Sequence, residues 1–156
     1  GRDAIPIASF SDDFSIQSGY VFPQSLMSKY LCLDLGTAHT GLAISEEGQL
    51  ATPLTTIFEK HLDLLIGKLI PIIAQHHPDI LVIGYPAHGP LVRYSQELSD
   101  KLEKIFTGKI VFYDEDLSSK KALTTLDNSK KSHSQKKQIE HQTAAAHILQ
   151  DFLDNQ

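Results

Sequence analysis

Apolar residues change their spacing several times along the chain, and each change marks an element. Tyr30 to Leu35 (YLCLDL) and Thr40 to Ser45 (TGLAIS) are rich in apolar residues, and Gly36 and Gly41 bracket the turn between them. That is the signal of two paired strands. Residues 46–49 (EEGQ) make a second turn and Leu50 to Ile57 a third strand, so an antiparallel meander is expected. From His61 to His77 the interval lengthens. Leu62, Leu65, Ile66, Leu69, Ile72 and Ile73 recur at helical spacing, with Pro71 inside as a candidate kink and Pro78 and Asp79 as the stop. Ile80 to Tyr85 (ILVIGY) is a continuous apolar strand of the buried, parallel kind. Val92 to Phe106 reads as a second amphipathic helix ended by Gly108, and Ile110 to Tyr113 as a fifth strand. Ser118 and Ser119 can cap a helix over Lys120 to Leu126, and Lys136 to Asp154 reads as the last helix. Three antiparallel strands followed by β/α units predict an α/β fold: a mixed five-stranded sheet flanked by helices.

Residues 1–26 show no sustained period and are rich in Ser, Asp, Pro and Gly, whereas Met27 opens a run that looks like a natural start. The expectation is a vector-derived or disordered leader over 1–26 and one domain over 27–156. A hydrophobic content of 41% and a charged content of 21% are ordinary for a globular protein. The single cysteine, Cys32, lies within the first strand and reads as a buried, inert thiol. No apolar run approaches the roughly 20 residues of a membrane helix. No membrane partner and a cytoplasmic location are expected.

Charge changes the picture through its distribution. The net charge of −5 argues against indiscriminate nucleic-acid binding, yet Lys120, Lys121, Lys130, Lys131, Lys136 and Lys137 fall within 18 residues, opposed there only by Asp127. Such a concentration of cations suits a phosphate backbone.

Asp34 is the anomaly in the first strand. Aspartate is depleted in strands, and a buried carboxylate is costly unless it is paired or holds a metal. Glu115 lies just beyond the fifth strand, so both acids fall at carboxyl ends of strands, where ligands of α/β sheets gather. Two carboxylates brought together repel unless a divalent cation neutralises them, and hard oxygen ligands suit Mg²⁺ or Mn²⁺. The other reading is two solvated acids at strand ends.

Four segments in this order and spacing, LCLDLGTAHTGLAIS, VIGYP, YDEDLSS and AAAHILQDFL, resemble the YqgF/RuvX family. These are Holliday-junction-resolvase-like proteins regarded as nucleases of pre-16S rRNA, and the resemblance runs from about Ser28 to Leu153. It implies an RNase H-like fold and a metal-dependent nuclease in ribosome maturation, with a junction-cutting role on DNA as the alternative. The implied partners are precursor 16S rRNA or structured DNA, and ribosomal particles. Asp34 matches the family's first-strand aspartate and Glu115 the glutamate of its D-E-R-[LF]-[ST] motif, whose arginine is here Asp116. The third acid of the family, at the start of the last helix, aligns with His141. Glu140 is adjacent, but one residue turns about 100° around a helix. Asp34, Glu115 and His141 are thus the implied catalytic and metal-binding residues, with Mn²⁺ favoured over Mg²⁺ by the imidazole. The lysine segment from Lys120 to Lys137 matches the family's basic loop. Two further readings compete: an RNA- or ribosome-binding module whose nuclease site has decayed, and ATP handling, which would need a second such domain.

Overall fold

The computed structural model describes residues 14–17, 20–23, 27–86, 88–114 and 133–156. Strands β1 (Phe14–Gln17) and β2 (Tyr20–Pro23) pair as an antiparallel hairpin forming a two-stranded sheet of its own. Strands of four residues are too short to print an alternation, which is why the pattern gave no element there. The rest builds one sheet: β3 (Tyr30–Leu35), β4 (His39–Ser45), β5 (Thr52–Phe58), β6 (Ile80–Tyr85) and β7 (Lys109–Asp114), in the order β5-β4-β3-β6-β7. The first three are antiparallel, and β6 and β7 add in parallel on the far side of β3. Helices α1 (Leu62–His76), α2 (Pro90–Glu103) and α3 (His133–Asp154) cover the faces.

The pleat sorts the side chains by period two. Leu31, Leu33, Leu35, Leu42, Leu81 and Ile83 point to one face, where Leu65 and Leu69 of α1 and Leu98 and Leu102 of α2 pack on them. Cys32, Ala43 and Val82 point to the other face, beneath Ala145, Ile148, Leu149 and Phe152 of α3. Each large aliphatic chain so buried stabilises the fold by roughly 1.5–3 kcal/mol. Strands β3 and β6 are buried on both faces, which accounts for their near-continuous apolar sequence. Among the described residues, three antiparallel strands, two parallel additions and a last helix on the face opposite α1 and α2 give the arrangement that the RNase H-like resemblance implies.

The element limits differ from the sequence reading where backbone chemistry outranks hydrophobic spacing. Helix α1 passes through Pro71 and stops at His77, whose left-handed φ of 50° lets its N–H return to the Ile73 carbonyl at 2.9 Å. Helix α2 begins earlier than Val92 because Pro90, with its preset φ, occupies the first turn behind Gly89. Strand β5 lies at the edge of the sheet, which tolerates Pro53, and its register against β4 shifts by one residue between Leu42 and Ala43. The expected helix over Lys120 to Leu126 lies outside the described residues.

Candidate functional site

Asp34 is only 5% exposed and projects, like Cys32 two residues before it, toward α3. Its neighbours across the sheet form one row: Thr56 of β5, Gly41 of β4, Asp34 of β3, Gly84 of β6 and Tyr113 of β7. The carboxylate is therefore flanked on both sides by residues without side chains. Helix α3 needs that space. The backbone carbonyl of His141 rests directly on Gly41, so a methyl group there would collide with it. Above Gly84, a methyl group would meet Ile148 Cγ2 at 3.2 Å.

The two ends of α3 are fixed to the outer members of the same row. Thr56 Oγ1 donates to the Gln138 carbonyl at 2.7 Å, and Tyr113 Oη donates to Asp151 Oδ2 at 3.1 Å. Burial, then the hydrogen bond to Asp151, pushes the Tyr113 phenol above its ordinary pKa. The helix thus crosses the sheet along the Asp34 row, from β5 at its start to β7 near its end.

One same-face step beyond this row, His39 of β4 pairs with Phe58 of β5. The His39 ring stacks on that of His141, with centroids 4.8 Å apart and planes 11° from parallel. Phe58 meets the His39 ring edge to face, at 4.8 Å and 85°. Three rings therefore run in series from α3 to the sheet edge, at the carboxyl end of β3. The sequence reading singled out His141 but neither His39 nor Phe58. A signal existed: if Asp34 opposes Gly41, position 39 shares the face of position 41.

The sequence-derived residues divide into those brought together and those outside the described residues. Asp34 and His141 meet through Gly41, and Glu140 is exposed while His141 is half-buried, as the turn of the helix requires. Strand β7 ends at Asp114, level with Tyr85 and one residue past the Asp34 row, and Glu115 follows it outside the described residues. Lys120, Lys121, Lys130 and Lys131 also lie outside them; Lys136 and Lys137 occupy the first turns of α3. Thr40 points to the opposite face, where its buried hydroxyl makes no hydrogen bond among the described residues. His88 is exposed in the loop before α2.

Among the described residues, no group of three or more His, Cys, Asp or Glu side chains is gathered closely enough to hold a metal ion. The donors that are present nevertheless suit one. A hard, buried carboxylate lies one strand from the helix turn that carries an imidazole, and a second carboxylate follows β7 in the chain. Mixed oxygen and nitrogen donors of this kind accept a divalent first-row ion. No helix among the described residues is long and apolar enough to cross a membrane.

Residues 28–155 match the family described as "RuvX: Holliday junction resolvase". A protein of Onion yellows phytoplasma (strain OY-M), named "Putative pre-16S rRNA nuclease", is 36% identical over 132 residues, which cover 80% of this chain and 87% of the relative. A protein of the same name from Geobacillus sp. (strain WCH70) is 33% identical over 135 residues, 81% of this chain and 98% of the relative. Among solved structures, Thermus thermophilus RuvC aligns over 81% of this chain and 95% of its own, with 11% identity and a TM-score of 0.49. With a family match from Ser28 to just past the end of α3, and relatives above 30% identity over most of both chains, this chain belongs to the YqgF/RuvX family of nucleases.

Proposed function

We propose that this chain is a metal-dependent endonuclease that hydrolyses phosphodiester bonds in processing the 5′ end of precursor 16S rRNA. The observation that carries the reading is Asp34. A carboxylate on the central strand, nearly sealed from water and flanked by two glycines, is a charge that a core strand keeps only where it is paired or holds a metal. It is accounted for if it serves a cation at the end of the sheet. The names of the relatives support the substrate.

In this reading Asp34, Glu115 and His141 hold one or more Mg²⁺ or Mn²⁺ ions. Such an ion, when bound, activates water and stabilises the charge that develops on the phosphate oxygens. The chain's own contribution is geometric and electrostatic. Gly41 and Gly84 clear the sides of the carboxylate, and the anchors at Thr56 and Tyr113 fix the helix that carries His141. Lys120, Lys121, Lys130, Lys131, Lys136 and Lys137 hold the phosphate backbone without reading its sequence.

The test is cleavage of a precursor 16S rRNA 5′ fragment in Mg²⁺ or Mn²⁺ by the parent and by Asp34→Asn. Metal-dependent cutting that falls at least a hundredfold in the variant is expected. RNA binding without cutting by either protein would instead identify a binding module, the reading favoured by an imidazole where the family has its third acid. Cutting of a four-way DNA junction but not of the RNA would move the substrate to DNA.

A further inference from the structure

Beyond the Asp34 row, at the carboxyl end of β3 and the edge of the sheet, lies an open depression of about 360 Å³ lined by Ala38, His39, Phe58, Glu59, Lys60 and His61. We propose that this depression receives one unpaired nucleobase of the strand being cut, stacked against the Phe58–His39 pair. The proposal rests on the nuclease reading and names a subsite for it.

Four observations lead there. The first is Phe58 itself, an aromatic ring left 46% exposed on an edge strand rather than turned into the core. The second is rigidity. The His39 ring contacts both Phe58 and His141, each at 4.8 Å, so the aromatic surface is preorganised and little side-chain freedom is lost when a base lands. A nucleobase presents a π-face whatever its identity, and stacking on an aromatic side chain is sequence-tolerant and worth about 1–3 kcal/mol per base.

The third observation is charge. The one carboxylate on the rim, Glu59, is bound on Oε1 by Lys68 Nζ at 2.9 Å and on Oε2 by the His61 N–H at 3.2 Å. The hydrogen bond from Lys68 holds this carboxyl below its usual range. Glu59 stays ionised, and the Lys68 ammonium offsets its charge, while Lys60 is exposed beside it. The fourth is distance. His39 is two residues from Gly41, a rise of roughly 7 Å along β4, and Gly41 is one strand spacing, roughly 4.8 Å, from Asp34. A base held against His39 therefore keeps its own backbone within about one nucleotide of the buried carboxylate. Single strands are usually recognised in this way, by splayed bases stacked on aromatic side chains beside a cationic path.

The test separates binding from cutting by using the full-length Asp34→Asn protein with a short unstructured RNA and the DNA of the same sequence. Each base in turn is replaced by an abasic residue, and the dissociation constant is measured with Phe58 intact and in Phe58→Ala and Phe58→Leu. Phe58 is surface-exposed, so both variants fold. The expected result is one position at which base removal weakens binding about tenfold with Phe58 present, with the penalty lost in both variants. Leucine keeps apolar area without a π-face, so retention of the penalty in Phe58→Leu would overturn stacking. A penalty in RNA or in DNA supports the subsite and says which strand it serves. Equal tolerance at every position in both would overturn it while leaving the nuclease reading intact, and no binding of either strand by Asp34→Asn together with no cutting by the parent in Mg²⁺ or Mn²⁺ would overturn both.

Discussion

At Gly41 the absence of one carbon decides whether α3 can lie on the sheet. A methyl group there collides with the backbone carbonyl of His141, which has no rotamer to yield. Gly41→Ala is therefore expected to lift the start of α3, lowering stability by about 1–3 kcal/mol, as overpacking does, and reducing cleavage more than the stability loss explains. A melting temperature and a cleavage rate measured below it check both parts. Tyr94 makes the opposite case. Its hydroxyl is buried without a hydrogen bond among the described residues, and burial, then the charge of Glu59, raises its pKa above the ordinary 10.0. Tyr113 is raised as well. Phenols with raised folded pKa values favour the folded state fully below pH 10.0 and lose that contribution as pH climbs through the folded values. Tyr94→Phe should thus be neutral to about 1 kcal/mol stabilising at pH 7 and should flatten the fall in stability above pH 10. Urea unfolding at both pH values reads this, and an unchanged alkaline slope would contradict it. Residues of this kind were only half legible in the sequence. Asp34 stood out because an acid interrupts an apolar strand, whereas Gly41 looked like an ordinary turn glycine.

Helix α3 is the element on which the candidate site depends. Its existence was legible, because Ala145, Ile148, Leu149 and Phe152 recur at helical spacing. Its path was not, because periodicity says which stripe of a helix is buried and nothing about the angle at which it crosses a sheet. That angle is what brings the His141 ring onto His39 and leaves Glu140 exposed. One of its fixings is the 2.7 Å bond from Thr56 Oγ1 to the Gln138 carbonyl, made by a side chain buried on the edge strand. Thr56→Val keeps the shape and removes the donor. A loss of about 1 kcal/mol is expected, with amide hydrogen exchange accelerating in the first turns of α3 and remaining unchanged from Ala145 to Phe152. Uniform acceleration along the helix would mean that the bond contributes only to global stability.

On the scale of the whole molecule, the sheet order turns distant sequence into one neighbourhood: β3, β4, β6 and α3 meet around a single carboxylate. The meander and the β/α units made that order readable, since antiparallel neighbours follow short turns and parallel strands need crossovers. The second acid and most of the lysines follow β7, so their number in the sequence said more about chemistry than about place. Holding a cation by residues from several elements has a thermodynamic consequence. An ion that binds only the folded assembly stabilises it by about 2.7 kcal/mol at a hundred times its dissociation constant. For a chain of this size that corresponds to a rise in melting temperature of roughly 5–10 °C. The parent should show such a rise with Mn²⁺ and a smaller one with Mg²⁺, because an imidazole donor suits the softer ion. Asp34→Asn should show neither, and His141→Asp should bring the two ions level by restoring an all-oxygen set. A rise that persists in Asp34→Asn would place the cation elsewhere. A Mg²⁺ preference in the parent would remove the His141 imidazole from the ligand set while leaving Asp34 in it.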